Sequence, residues 1–137
     1  VSSRLQRTKV DWALEMEELL RTRYADAKKV ILICDNLNTH TRGAFYEAFE
    51  AKKARDLVRR IEFHYTPKHG SWLNIAENEL SSMTRQSLSG RRIETIEMLR
   101  AETSAWADAS NEKQRGVDWQ FTVEKARVKL KALYPNI

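Results

Sequence analysis

Five consecutive strand-forming apolar residues, Val30 to Cys34, run straight into Asp35, and the polar cluster Asn36, Asn38, Thr39 and His40 follows at once. A short run that is apolar at every position predicts a strand buried on both faces, the pattern of a central strand in an α/β fold with helices on each side. A carboxylate at the end of such a strand stands where open α/β sheets place their ligand sites. A structural Asp that caps the next turn fits the same position, and position alone leaves the two open.

The flanking segments support an α/β reading. Trp12, Met16, Leu19, Leu20, Tyr24 and Ala27 share one face of an amphipathic helix, with Asp11 placed as its N-cap and Lys28 and Lys29 at its C-terminal end. From Thr41 to Arg60 the spacing is helical again, with a change of phase near Lys52 that predicts a kink or two short helices. Ile61 to Thr66 alternates Ile61, Phe63 and Tyr65 against Glu62, His64 and Thr66, as expected for a strand near a sheet edge with one covered face. Ser71 is the expected N-cap of a helix through Trp72, Ile75, Ala76, Leu80, Met83 and Leu88, which Gly90 ends. Two further helices are expected, over 93–111 and 123–134.

With 137 residues, 42% of them hydrophobic and 31% charged, the chain has the size and composition of one globular domain, 1–137. No apolar run approaches the ~20 residues of a membrane span, and the start VSSRLQRTK has no apolar signal-peptide core, so a protein of the cell interior is expected. The net charge of +5 fits a polyanionic partner without requiring one. Cys34, the single cysteine, lies inside the apolar run and reads as a buried inert thiol.

A second carboxylate comes from the helix after Ser71. At about 100° per residue, Glu77 falls near the edge of the arc formed by Leu73, Ala76, Leu80 and Met83, so it is expected to border the buried face. Glu79 falls on the far side of the helix and cannot serve the same site. Two carboxylates on separate elements suit a hard divalent ion; a half-exposed helix residue is the plainer reading of Glu77. His40, His64 and His69 with Cys34 match no compact zinc spacing, and the chain has no Gly-rich phosphate loop, nucleophile elbow or dinucleotide fingerprint.

Taken together, ICDNLNTH and HYTPKHGSWLNIAENEL resemble the catalytic core of bacterial insertion-sequence transposases related to the mariner superfamily. Asp35, Asn36 and His40 occupy the places of that family's second catalytic motif; Pro67, Leu73, Asn74 and Glu77 match its third, with Ile75 and Ala76 where Pro-Ile is usual. The resemblance extends over about Arg7 to Pro135. It implies an α/β ribonuclease H-like fold with a DDE/D triad, of which Asp35 and Glu77 would be the second and third members and the ligands of Mg²⁺ or Mn²⁺, two ions in the complete site. Asn36, His40 and Asn74 would support them. It also implies DNA partners, the transposon ends and the target, met by Arg85, Arg91, Arg92, Lys68 and His69, and a cytoplasmic, nucleoid-associated bacterial protein that needs no membrane.

The family's first Asp lies on a strand well ahead of the second, whereas residues 1–34 read mostly as helix. The fold is therefore expected to be incomplete, lacking the N-terminal strands and the first Asp, with a helix-rich C-terminal half. A fragment of this kind would be inactive alone in DNA strand cleavage and transfer. The alternative is a non-catalytic DNA-binding or oligomerisation domain left from a transposase. A strand without its neighbours exposes unpaired backbone, so a homo-oligomer is expected.

Overall fold

The computed structural model of the chain describes residues 1–67, 73–114, 116, 118–129 and 131. Its elements run α1 (Lys9–Arg21), β1 (Val30–Cys34), α2 (Arg42–Ala48), α3 (Ala51–Arg59), β2 (Ile61–Tyr65), α4 (Ile75–Met83), a π-helical turn (Thr84–Leu88), α5 (Ile96–Glu112) and α6 (Val123–Lys129). They fall into two compact units, Val1–Trp106 and Ala107–Ile137. The second contains the end of α5 and α6, with Trp119 edge-on to Phe121 at 6.4 Å.

Helix α1 begins earlier than the placement of Asp11 as its cap predicts. Thr8 is the N-cap: its hydroxyl accepts the Asp11 N–H at 3.1 Å, and the Asp11 carboxylate accepts the Thr8 N–H at 3.0 Å. This reciprocal box satisfies two orphan donors of the first turn. The hydrogen bonds from the Thr8 side chain and backbone hold the Asp11 carboxyl below its ordinary range. The helix also ends at Arg21 rather than at the two lysines. The carbonyls just beyond it are collected by Arg60, whose Nη2 donates to Tyr24 at 2.6 Å, Ala25 at 3.2 Å and Ala27 at 3.0 Å. One guanidinium therefore closes the turns leading into β1 and ties them to the residue before β2.

The apolar run forms β1 with the expected bounds, and β2 pairs with it in parallel, Val30 opposite Ile61 and Cys34 opposite Tyr65. The helical stretch between the strands divides at Phe49 and Glu50, a little before the expected phase change. Phe49 is extended (φ −134°, ψ 159°) and its ring lies 4.4 Å from the Lys53 ammonium. Parallel pairing with helices between the strands is compatible with the α/β class.

The core lies on one face of this sheet. Ala13, Leu20, Ala44, Phe45, Ala54 and Ile61 are buried, with Trp12, Met16, Val30, Leu32, Leu57 and Phe63 packed around them. The other face corrects the expectation of cover on both sides: Ile31 is 65% and Ile33 62% exposed. In the parallel register these isoleucines stand beside Glu62 and His64, which are also exposed. The alternation of β2 is thus matched by β1, although its composition does not alternate.

Helix α4 departs from expectation as well. It starts at Ile75, where the Asn74 side-chain oxygen accepts the Ala76 N–H at 3.1 Å; Ser71 and Trp72, the expected start, lie outside the described residues. It packs chiefly on the π-helical turn that continues it, and the chain then turns at Gly90, whose φ of +73° is the left-handed conformation that glycine takes freely. Of the arc Leu73, Ala76, Leu80 and Met83, only Met83 is buried, and Leu80 is 49% exposed. Glu77 is accordingly exposed rather than bordering a buried face.

Candidate active site

Asp35 is the first residue beyond β1, and the turn that follows brings His40 back to it. The His40 N–H donates to the Leu37 carbonyl at 3.0 Å, which closes the turn, and His40 Nδ1 then lies 2.5 Å from Asp35 Oδ1. Both side chains are largely covered, 24% exposed for Asp35 and 22% for His40. The two atoms are each other's nearest polar partners, although their alignment falls outside hydrogen-bond geometry, and among the described residues Thr39 Oγ1 in the same turn is buried without a hydrogen-bond partner. An unsatisfied buried polar atom of this kind is costly.

Two aromatic residues hold His40 in place. The Trp12 ring stacks on the imidazole, with centroids 5.3 Å apart and an interplanar angle of 29°. The Tyr65 hydroxyl donates to the His40 carbonyl at 3.0 Å. Trp12 reads in the sequence only as part of an apolar helix face. Tyr65 reads only as a strand residue, and its place beside the turn follows from the parallel register that sets it opposite Cys34. Burial pushes the Tyr65 phenol up, as it does the Cys34 thiol, which Asp35 raises further. A raised thiol pKa removes the thiolate, in keeping with an inert Cys34.

The other expected site residues are spread more widely. Asn36 is exposed in the turn. Asn74 caps α4, with Glu77 in its first turn, so the helix that carries this carboxylate starts on a defined side-chain bond. Among the described residues no three His, Cys, Asp or Glu side chains gather as metal ligands, so Glu77 does not join Asp35 and His40 in one cluster. Arg91 is held in a bidentate pair with Glu102, at 2.6 Å on each side, and donates to the Ser87 carbonyl at 3.0 Å. The carboxylate raises the Arg91 pKa, and the guanidinium keeps Glu102 below its ordinary range. Arg91 thus joins the π-helical turn to α5, while Arg85 is exposed and Arg92 is 90% exposed, 3.8 Å from Glu94. Lys68 and His69 lie outside the described residues.

A half-buried carboxylate paired with a histidine thus stands at the carboxyl end of a parallel strand, where open α/β sheets place their ligand sites. The model of the DDE superfamily endonuclease family matches residues 5–100 of this chain. The chain belongs to that family, whose members act on DNA and generally use divalent metal ions. No curated protein and no solved structure matches it. Among the described residues, no helix is long and apolar enough to cross a membrane.

The residues present fit a divalent ion in part. The Asp35 carboxylate supplies hard oxygen donors of the kind a divalent ion takes, with His40 Nδ1 beside Oδ1 as a neighbour that orients it. Asp35 and His40 by themselves fall short of a complete ligand set.

Proposed function

We propose that the chain is the second-Asp and Glu portion of a ribonuclease H-like DDE transposase core, of the bacterial insertion-sequence type related to mariner, serving DNA strand cleavage and strand transfer. The observation that carries this reading is the largely covered Asp35 carboxylate at the carboxyl end of β1, paired with His40 and within the segment matched by the family. Asp35 and Glu77 hold Mg²⁺ or Mn²⁺. When bound, two such ions activate the attacking water or 3′-hydroxyl and stabilise the leaving oxygen at a scissile phosphate. His40 orients the Asp35 carboxylate, and Asn74 fixes the start of the helix that presents Glu77. Arg85 and Arg92, with Lys68 and His69, meet backbone phosphates, whereas Arg91 acts through its pair with Glu102.

A third carboxylate enters on a strand beside the free edge of β1. Supporting this is the sheet, which among the described residues has two strands and leaves one edge of β1 without a hydrogen-bonded neighbour. Pairing between copies of the chain fills the same edge. Sedimentation at micromolar concentration is expected to show a dimer or larger assembly, and a monodisperse monomer would contradict it.

The exposed Arg85 and Arg92 fit a second reading as well, a non-catalytic DNA-binding or oligomerisation domain. The transposase reading and the DNA-binding form of the second require DNA binding. In EDTA at low salt the chain is expected to bind duplex DNA of any sequence, with affinity falling by about 0.9 log units per log unit of salt for each phosphate contact. Arg85→Ala with Arg92→Ala should lower that slope by about two contacts' worth. Asp35→Asn should leave metal-free binding intact or slightly tighter, because it removes a negative charge beside the phosphates. Failure of the wild type to bind DNA even at low salt sinks the transposase reading and the DNA-binding form of the second.

A further inference from the structure

Tyr65 ends β2 directly opposite the residue that precedes Asp35. Its hydroxyl is anchored on the His40 carbonyl at 3.0 Å, and its ring is backed by Phe63 in a near-parallel stack, with centroids 6.1 Å apart and an interplanar angle of 24°. Even so, 43% of the residue is exposed. The neighbouring Arg42, also exposed, holds its guanidinium 5.2 Å from the Phe63 ring centre. Here a ring fixed at both ends presents open aromatic surface beside a cation and beside the candidate active carboxylate.

We propose that Tyr65 is a stacking platform for an unpaired nucleobase of the DNA strand that passes Asp35, with Arg42 facing an adjacent phosphate. The proposal rests on the DNA reading of this site. An aromatic ring immobilised beforehand loses little entropy on binding, and stacking accepts every base because each has a π-face. The occupant is an unpaired base, since within a duplex both faces of a base are already stacked.

Two oligonucleotides test this, measured in EDTA: a thymidine 12-mer and a 12-mer of the same backbone lacking bases. Phosphate contacts contribute to both, so the ratio of their affinities isolates stacking. Wild type is expected to favour the base-bearing strand by about tenfold, the effect of one stacked base. Tyr65→Leu should bring the ratio close to one while still binding the abasic strand as wild type does, which also shows that the variant is folded. Tyr65→Phe, which keeps the ring and loses only the hydroxyl bond to His40, should retain most of the preference. A wild type that binds both strands equally, or a Leu variant that keeps the full preference, overturns the platform and leaves the DNA reading standing. A wild type that binds neither strand overturns the DNA reading itself, and the platform with it.

Discussion

Truncating Phe45 to alanine is expected to cost about 3–5 kcal/mol of folding stability, the range for emptying a fully buried aromatic site. Phe45 is 0% exposed and is the largest completely buried side chain among the described residues. Its ring meets Trp12 at 5.4 Å and Phe63 at 6.5 Å, both edge-to-face, so it joins α2 to α1 and to the core face of β2. Small residues such as Ala13, Ala44 and Ala54 surround it in the core and cannot expand to refill the space. Against a typical total of about 5–15 kcal/mol, this removes between about a fifth and all of the stability. The thermal midpoint followed by circular dichroism should fall by more than about 10 °C. A loss below about 1 kcal/mol would mean that Phe45 is not the centre of the core. Because Trp12 also stacks on His40, the same substitution should loosen the turn that holds Asp35.

Asp35→Asn is expected to separate function from stability. The substitution keeps the size of the side chain and gives up the charge facing His40 Nδ1, a partly covered contact worth about 1 kcal/mol, so the metal-free midpoint should fall by only a few degrees. The response to metal should differ sharply. A ligand that binds only the folded state stabilises it by about 2.7 kcal/mol at one hundred times its dissociation constant. Mn²⁺ at that excess should therefore raise the wild-type midpoint by several degrees and leave the Asn variant unmoved. Equal shifts in the two proteins would show that any bound Mn²⁺ lies elsewhere.

How much of this was legible in the sequence differed from element to element. The two strands could be placed because an unbroken apolar run and a strict alternation are local signals, and Asp35 stood out because it ended the first of them. The exposure of Ile31 and Ile33 could not be read, since an all-apolar strand carries no mark of which face lacks a covering element. Threonine and aspartate both serve as caps, so the spacing that points to Asp11 as the cap does not reveal that Thr8 takes that role with Asp11 as its partner three residues on. The orientation of Glu77 was argued from a helical arc that presumes a partner on that side, and α4 packs mainly on its own continuation. Arg91 looked like a phosphate contact because its partner, Glu102, comes from another helix. Trp12 and Tyr65 converge on His40 only through parallel register and tertiary packing, which spacing along the chain does not encode.

In the proposed site Asp35 and Glu77 hold the same divalent ion. Isothermal titration with Mn²⁺ of the wild type, Asp35→Asn, Glu77→Gln and the double variant decides whether they do. Saturable binding is expected for the wild type and loss of that binding in each single variant, with no further loss in the double variant, because ligands of one shared ion act as a unit. Binding to Glu77→Gln with wild-type affinity, or no binding to the wild type, would contradict the shared site.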